Sequence, residues 1–353
     1  MKAPTIPSMY TAARSHDDTG ARRTRDLSIG ARIAILIPCH NEASAISTVV
    51  QDFRRALPTA IVYVYDNNSS DDTAHLAESA GAIVRSEPLE GKGNVIRRMF
   101  ADVEADVYVL VDGDGTYDAS ASEEMVRLLL EHSLDMVNGA RVPVTKHAYR
   151  PGHALGNRLL TGAVSAIFGN RVRDMLSGYR VLSRRFVKSF PALATGFETE
   201  TELTVHALEL RCPTAEVEAP YRDRLLGSRS KLRTFRDGWR IVRTIVKLVK
   251  EERPLAFFTG TSVLLGLSSV LLAWPLFVTY AETGLVPRFP TAILVTGLMV
   301  LAFMSFVAGL ILDSVTHGRR ELKRLHYLAL LGPGVHERRR PQAAIVEDAD
   351  SAY

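Results

Sequence analysis

The sequence has few cysteines and no segment of the kind that directs secretion. Cys39 and Cys212 are the only two cysteines in 353 residues, too few for a disulfide framework and suited to a reducing cytoplasm. The first thirty residues contain several arginines but no apolar run, so they lack the hydrophobic core of a signal peptide. We expect residues 1–30 to form a flexible tail and the domain that follows to face the cytoplasm.

Charged residues are almost absent from one long part of the chain, between Leu255 and Leu312. Within it, residues 255–280 and 291–312 are each long enough to cross a bilayer, which takes about 20 apolar residues. A buried core helix of that length without charge would be unusual in a soluble protein. The sequence therefore predicts a hairpin of two transmembrane helices within residues 254–313.

Positive charge flanks both predicted spans. The connection between the spans carries only Glu282 and Arg288 as charged residues. Because lysine and arginine are retained on the cytoplasmic side, we predict a multi-pass protein of the cell (inner) membrane with both termini cytoplasmic. Residues 314–353 are expected to form a basic, partly disordered cytoplasmic tail. The flanking basic residues are Lys247, Lys250, Arg253, Arg319, Arg320, Lys323 and Arg324.

Residues 229–253 have a basic amphipathic pattern. Apolar residues such as Phe235, Trp239 and Val242 recur at helical spacing, with lysine and arginine between them. Such a helix is suited to lie in the headgroup layer of a membrane, although an ordinary domain helix with a solvated basic face shows the same pattern. This distribution of charge indicates a membrane partner and not nucleic acid.

Short apolar runs alternate with helical patterns between residues 31 and 228. Such alternation predicts an α/β domain with a Rossmann-like, mainly parallel sheet, helices on both faces and polar loops gathered at one edge. Strands are expected at residues 32–38, 61–65, 82–85, 107–111, 135–138 and from 177, and later helices at 153–168 and from 197.

Acidic side chains follow three of the predicted strands. Asp112 and Asp114 come directly after an apolar run, and Gly113 allows close approach of the backbone. Two carboxylates at this spacing can hold a hard divalent cation and through it a diphosphate, although Asp and Gly are also ordinary turn residues. Glu42 and Asp66 follow the first and second strands. Loops at the carboxyl ends of parallel strands meet at one edge, so the sequence predicts a nucleotide site there.

Three familiar binding motifs do not fit this chain. A dinucleotide site needs Gly-x-Gly-x-x-Gly after the first strand, where the sequence has Pro38 to Glu42. A P-loop needs Ser or Thr after Gly-Lys, where the sequence has Gly93. An EF-hand at Asp112 fails because Tyr117 occupies the position of the required glycine.

Four short motifs occur in order along the chain: Pro38 with Asn41-Glu42, Asp66 with Asn68 to Thr73, Gly91-Lys92-Gly93, and Asp112-Gly113-Asp114. Together they resemble the GT-A inverting glycosyltransferases of family 2. More narrowly, the chain is similar to polyprenyl-phosphate sugar synthases of the dolichol-phosphate mannose synthase and undecaprenyl-phosphate glucosyltransferase type. The resemblance covers roughly residues 33–232 and includes two later motifs at 177–180 and 227–232. The usual acidic loop of these enzymes reads Asp-x-Asp-Leu-Gln, whereas this sequence has Gly115–Tyr117 after Asp114.

The resemblance implies a nucleotide-sugar donor, a UDP- or GDP-hexose, and a divalent cation, Mg²⁺ or Mn²⁺. Asp66 would contact the nucleobase, Glu42 and Asp112 the nucleoside end, and Asp114 the metal. Residues 31–228 would form the catalytic domain, with Asp112, Asp114 and Arg180 as catalytic residues. The implied donor-binding residues are Pro38, Asn41, Glu42, Asp66, Asn68, Lys92, Asp112 and Gly113.

The resemblance also implies a polyprenyl-phosphate acceptor. This phosphate is already an anion, so its oxygen can attack the anomeric carbon without a strong general base. Another lipid or saccharide acceptor, or a non-catalytic membrane scaffold with a transferase-like domain, is the alternative. The oligomeric state, a homo-oligomer included, stays open. Guanidinium groups suit phosphate oxygens, and the candidates to bind the acceptor phosphate or the sugar are Arg141, Arg180, Glu198, Glu200, Arg224 and Lys231.

Overall fold

The computed structural model describes residues 30–143, 161–162, 164, 173–194, 196, 198–222, 243 and 246–333. The chain divides into two compact units. The first contains a β-sheet, and the second contains two long apolar helices. Residues 1–29, most of the helix predicted at 153–168 and most of the amphipathic helix predicted at 229–253 lie outside the described residues.

The first unit alternates strands with helices. Its strands are β1 (Ile33–Cys39), β2 (Ile61–Asp66), β3 (Ile83–Ser86), β4 (Val107–Leu110), β5 (Met136–Pro143), β6 (Arg180–Ser183) and β7 (Thr214–Tyr221). Its helices are α1 (Ile46–Ala56), α2 (Thr73–Ser79), α3 (Lys92–Asp102), α4 (Ala121–Glu131), α5 (Arg184–Ser189) and α6 (Thr199–Leu210).

The strands form one sheet in the order β3-β2-β1-β4-β6-β5-β7. β1 pairs in parallel with β2 and with β4, β2 with β3, and β5 with β7. β6 is antiparallel to both β4 and β5, so it is the one described strand that runs against the others. The predicted mainly parallel α/β sheet is confirmed, whereas β7 and α5 were not anticipated from the sequence.

The two faces of the sheet carry separate parts of the hydrophobic core. Along β1, Ile33, Ile35 and Ile37 pack on one face, while Ala34 and Leu36 pack on the other. β4 is buried at all four positions, as expected of a strand in a sheet covered on both sides. A one-residue shift in register would exchange the two faces, so the position of the segment after β4 is strongly specified.

The second unit contains two long apolar helices, α7 (Pro254–Thr283) and α8, which runs from Phe289 to Ala329 and ends in the first unit. Both are long and apolar enough to cross a membrane. Pro254 stands in the first turn of α7, where its missing N–H removes no helical hydrogen bond. Gly284 follows α7 in the left-handed conformation (φ 67°), a common way to end a helix. Both predicted spans are therefore present as helices, and each is longer than predicted.

Small residues let α7 and α8 approach each other closely. A Cβ added to Gly309 would lie 2.9 Å from the Cβ of Phe258, and Ser269 Oγ donates to the Val295 carbonyl oxygen at 2.9 Å. The start of α7 thus contacts the later part of α8, and the middle of α7 contacts the start of α8. The helices are therefore antiparallel and form the predicted hairpin, with the small contact residues typical of membrane helices.

Charged side chains connect the segment that precedes α7 with α8. Arg319 and Arg320 donate to the carboxylate of Glu252, at 2.9 and 3.1 Å. Arg320 also donates to the Glu252 carbonyl oxygen at 2.5 Å. Glu252 therefore partly neutralises two of the arginines that flank the second predicted span. The positive-inside rule counts lysines and arginines and not net charge, so these ion pairs do not change the predicted orientation.

The last turn of α8 belongs to the first unit. Tyr327 is buried there, and its hydroxyl donates to the fully buried carboxylate of Asp135 at 2.5 Å. Ser183 Oγ and the Arg185 guanidinium donate to the same carboxylate, and Arg185 lies 4.3 Å from the centre of the Tyr327 ring. Residues 314–329, the first part of the predicted basic tail, are helical.

Tyr327→Phe is expected to destabilise the first unit, because the buried Asp135 carboxylate loses one of its donors. Such a loss costs roughly 1–2 kcal/mol, which lowers the thermal midpoint of a domain of this size by roughly 2–8 °C. Thermal unfolding of the detergent-solubilised chain measures the effect, with Tyr280→Phe as the control because Tyr280 is exposed. An unchanged midpoint for Tyr327→Phe would contradict this role.

Candidate active site

Three parallel strands end at one edge of the sheet. β1 and β2 are in register there, with Cys39 opposite Asp66. The segment after β4 continues beside β1, because the Val111 N–H donates to the Leu36 carbonyl oxygen at 3.1 Å. The loops after β1, β2 and β4 are therefore neighbours, at the edge where parallel α/β sheets bind their ligands.

Four carboxylates surround the end of β1. Burial raises the pKa of the Cys39 thiol, and the charges of Glu42, Asp66, Asp112 and Asp114 raise it further. Asp66 lies opposite Cys39 in the pair of β1 and β2, and Gly113, between Asp112 and Asp114, lies against Cys39 Sγ. The structure thus brings together the carboxylates that the sequence places at three separate strand ends.

The loops after β1 and β2 are hydrogen-bonded to each other. Asn41 Oδ1 accepts from the Ser70 N–H at 2.7 Å, and the Asn41 N–H donates to Ser69 Oγ at 2.8 Å. The Glu42 N–H donates to Thr73 Oγ1 at 2.9 Å. Asn41 adopts the left-handed conformation (φ 54°), which asparagine tolerates better than most residues. The Asn41 side chain, predicted to bind the nucleotide, is engaged in holding the neighbouring loop.

The two carboxylate oxygens of Asp66 have different surroundings. Oδ2 accepts from the Ser69 N–H at 3.1 Å, whereas Oδ1 is buried and has no hydrogen-bond partner among the described residues. A buried carboxylate oxygen without a donor is costly, so at this edge it points to a donor supplied by a ligand. Asp72, not Asp66, directly precedes α2, so Asp66 is not the cap of that helix.

Asn67 and Asn68 fasten the loop that precedes α3. Asn67 Nδ2 donates to the Leu89 carbonyl oxygen, and Asn67 Oδ1 accepts from the Gly91 N–H, both at 2.8 Å. Asn68 Nδ2 donates to the Pro88 carbonyl oxygen at 2.9 Å. The sequence motif predicts a nucleotide contact for Asn68 and no role for Asn67. The partners of both are backbone groups of another loop, which a sequence motif does not reveal.

Lys92, the first residue of α3, bridges two carboxylates. Its Nζ donates to Asp112 Oδ1 at 2.5 Å and also to Glu200 Oε1. Burial alone would lower the pKa of Lys92, but the charges of Asp112 and Glu200 outweigh burial and raise the pKa above its ordinary value. Lys92 is therefore a protonated side chain held between two acids.

Two glycines stand where a larger side chain would collide with the Asp112–Asp114 segment or its neighbours. A Cβ on Gly113 would lie 2.5 Å from Cys39 Sγ, and a Cβ on Gly178 would lie 2.4 Å from Asp112 Oδ2. Asp114 is buried, and its Oδ1 accepts from the N–H and the hydroxyl of Thr116 at 3.1 and 2.6 Å. The acidic segment is thus held in place by contacts within the chain, which is the preorganisation that a charge-binding site needs.

Tyr117 is part of the core beside the acidic segment. Its ring packs against those of Tyr179 and Tyr221, with centroids 5.4 and 5.2 Å away. Its hydroxyl accepts from the Gly178 N–H at 2.9 Å. Tyr117, which follows the acidic segment, therefore supports that segment by packing.

Arg180 is not placed to bind an acceptor phosphate, and this part of the prediction is corrected. Its side chain is fully buried. The guanidinium donates at 2.8, 3.1, 3.0 and 2.9 Å to the carbonyl oxygens of Met175, Ser177 and Glu200 and to Thr204 Oγ1. Arg180 therefore holds the start of α6 against β6.

The other predicted acceptor residues differ in how much of their surroundings the structure describes. Arg141 donates to the Asp174 carboxylate through Nε at 2.6 Å and through a second nitrogen at 2.8 Å, so this pair orients its guanidinium. Glu198 directly precedes α6. Arg224 and Lys231 lie outside the described residues. Pro38, predicted at the donor site, is half-buried in β1.

A mainly parallel sheet with an acidic edge is the arrangement of the GT-A class of glycosyltransferases. Residues 34–190 match the family Glycosyl transferase family 2. The chain is 35% identical over 232 residues to Glycosyltransferase AglJ of Haloferax volcanii, an alignment that covers 64% of this chain and 75% of that protein. The chain therefore belongs to glycosyltransferase family 2, as its motifs predict.

Two further likenesses concern the acceptor and the fold. The chain is 27% identical over 222 residues to Dolichyl-phosphate hexose transferase of Haloferax volcanii, covering 63% of this chain and 95% of that protein. Its fold is similar to that of glucosyl-3-phosphoglycerate synthase from Mycobacterium tuberculosis, solved in complex with Mn²⁺, uridine diphosphate and glucosyl-3-phosphoglycerate. That likeness has a TM-score of 0.56 at 22% identity and covers 69% of this chain and 87% of the other. It confirms the GT-A fold.

Proposed function

We propose that this chain transfers a single sugar, with inversion, from a UDP- or GDP-hexose to a polyprenyl phosphate at the cytoplasmic face of the cell membrane. One observation carries the proposal: the chain combines a sheet edge at which the acidic ends of β1, β2 and β4 meet with a hairpin of two helices long enough to cross a membrane. The likeness to a relative named dolichyl-phosphate hexose transferase supports the lipid acceptor.

The donor would lie across the ends of β1, β2 and β4. Asp66 Oδ1, which is buried without a hydrogen-bond partner in the described part of the chain, is suited to accept from an N–H of the nucleobase. Uracil and guanine both present such a donor, so this contact serves UDP and GDP alike. Glu42 and Asp112 would face the nucleoside end of the same ligand.

The acidic segment suits a divalent cation that is shared with the donor. Asp114, oriented by Thr116, would hold the ion through oxygen, the ligand that Mg²⁺ and Mn²⁺ prefer. Among the residues that the structure describes, no three His, Cys, Asp or Glu side chains form a metal-binding group. Diphosphate oxygens and water would supply the other ligands of the ion. When bound, such an ion would stabilise negative charge on the leaving diphosphate.

The reaction depends on positioning more than on proton transfer. An oxygen of the acceptor phosphate forms a bond to the anomeric carbon as the bond from that carbon to the diphosphate breaks. The nucleoside diphosphate leaves with the electron pair. Asp66 and Glu42 would hold the donor so that its anomeric carbon faces the acceptor. No general base is required, because the attacking oxygen carries no proton.

The hairpin of α7 and α8 would keep the enzyme at the membrane that contains its acceptor. The basic residues on either side of the hairpin favour cytoplasmic ends. Residues 246–252, at the end of the proposed amphipathic segment, are helical, which fits a segment that lies at the membrane surface.

Transfer can be tested with the full-length chain in vesicles that contain a polyprenyl phosphate. Labelled UDP- and GDP-hexoses are supplied with Mg²⁺ or Mn²⁺, and the lipid fraction is analysed. We expect labelled lipid that is labile to mild acid, and we expect EDTA to abolish the labelling because the diphosphate loses its cation. Matched vesicles without polyprenyl phosphate are the control.

The other outcomes identify the alternatives. Equal labelling of a lipid in vesicles without polyprenyl phosphate would indicate another lipid acceptor, and label in a soluble saccharide would indicate a saccharide acceptor. No product with any donor would favour a non-catalytic scaffold. Each of these results would contradict the proposal.

A further inference from the structure

Lys92 joins two acidic residues that come from different parts of the sheet-containing unit. Asp112 follows β4, whereas Glu200 lies in the first turn of α6. Both carboxylates accept from the same nitrogen, Lys92 Nζ. Their oxygens therefore lie within about 6 Å of each other, close enough to repel strongly if the lysine charge were absent.

Glu200 is the more firmly held of the two acids. Its carbonyl oxygen accepts from the guanidinium of Arg180 and from the hydroxyl of Thr204, each at 3.0 Å. The Glu200 side chain is 7% exposed, whereas that of Asp112 is 30% exposed. Without the lysine charge, repulsion would therefore displace Asp112 towards solvent and leave Glu200 in place.

The surroundings of Lys92 do not favour direct contact with a ligand. Its side chain is only 11% exposed, and an ammonium group has three donors, two of which point to carboxylates here. Asp112 itself is limited on its other side by Gly178, where a Cβ would lie 2.4 Å from Oδ2. Lys92 and the Gly178 backbone together define where the Asp112 carboxylate lies.

We propose that Lys92 is a positioning residue of the donor site, which holds Asp112 in place by offsetting the charge of Glu200. It acts through Asp112 and does not touch the donor. This inference rests on the proposed function, because it takes Asp112 as a ligand of the nucleotide-sugar donor. It replaces the expectation that Lys92 binds the nucleotide directly.

A double-mutant cycle separates this role from direct contact. Binding of UDP and of GDP, each with Mn²⁺, is measured by calorimetry for the unmodified full-length chain, Lys92→Met, Glu200→Gln and the double variant. We expect Lys92→Met to weaken binding at least ~10-fold when Glu200 is present, but less than ~3-fold in the Glu200→Gln background. Neutral glutamine no longer repels Asp112, so the lysine charge has nothing left to offset.

Direct contact predicts a different pattern. If Lys92 touches the diphosphate, its loss weakens binding equally in both backgrounds, and that result overturns the inference. Thermal midpoints are measured for every variant. Should Lys92→Met alone fail to fold, the double variant decides: normal binding supports the inference, and a folded double variant that does not bind overturns it. If the unmodified chain binds neither nucleotide, the proposed function falls, and this inference falls with it.

Discussion

Asp114→Asn is expected to lower the turnover of sugar transfer by at least ~10²-fold while the chain stays folded. Asparagine has nearly the same shape and keeps an oxygen for the N–H and hydroxyl of Thr116, which donate to Asp114 at 3.1 and 2.6 Å. What it removes is the negative charge that would hold a divalent cation, so donor affinity and turnover fall together. Transfer to polyprenyl phosphate in vesicles, and Mn²⁺-dependent binding of UDP and GDP, measure the two effects.

Asp118→Asn is the matched control for this experiment. Asp118 lies in the same loop, but its carboxylate accepts from Arg222 at 2.6 Å and from the Ser120 N–H at 2.9 Å. We assign it no contact with the donor, and loss of a partly exposed ion pair has small effects, so turnover should stay within ~3-fold of the unmodified chain. If Asp114→Asn keeps the same turnover, the assignment of the metal to Asp114 is wrong.

The acidic edge was predictable because its signals are local. Residues 107–111 are continuously apolar, as in a buried parallel strand, and strands joined through crossover helices usually run parallel. That reasoning is enough to place Asp66 and Asp112 at a common edge. The structure adds that the four acids lie close enough together to act on one buried thiol, Cys39.

Packing between distant residues was not predictable. Tyr117 follows Gly115 and Thr116, which replace the Leu-Gln of the usual Asp-x-Asp-Leu-Gln pattern. Its partners, Tyr179 and Tyr221, lie far along the chain, and no local pattern links the three rings. The structure therefore shows a role of Tyr117 in the core that the sequence did not reveal.

β7 was missed although its sequence carries a signal. Ala215, Val217 and Ala219 are buried, and the residues between them are more exposed, which is the period of two expected for a strand. Small alanines make the apolar positions weak, and the strand ends in Pro220-Tyr221. The burial of this strand comes from its pairing with β5, which the local sequence does not show.

The position of Arg180 in the sheet explains why the sequence misjudged it. An arginine next to an acidic site suits a phosphate, and the motif alone does not distinguish that role from a structural one. In the fold, Arg180 begins β6 and is paired on its two sides with Leu110 and Asn138. A strand between two others is buried, and burial lowers the pKa of this guanidinium while the charges of Glu200 and Asp174 oppose the change.

Arg180→Met is expected to destabilise the first unit strongly. Methionine fills much of the same space but cannot donate to the carbonyl oxygens of Met175, Ser177 and Glu200, which accept from Arg180 at 2.8–3.1 Å. Each buried acceptor left without its donor costs roughly 1–3 kcal/mol, so the loss of three lowers the thermal midpoint by roughly 6 °C or more. Thermal unfolding in detergent measures the loss, and Arg173→Met, at a largely exposed arginine, is the control.

Donor binding should fall with stability in the Arg180→Met variant, because Arg180 holds the backbone of Glu200, whose side chain accepts from Lys92. A phosphate-binding arginine predicts the reverse pattern: an unchanged midpoint and unchanged nucleotide affinity, with a raised KM for polyprenyl phosphate. The KM is measured on vesicles with increasing polyprenyl phosphate at a saturating donor concentration. That reverse pattern would return Arg180 to the acceptor site. A lowered midpoint with weakened UDP or GDP binding would establish that a buried arginine supports the donor site through the start of α6.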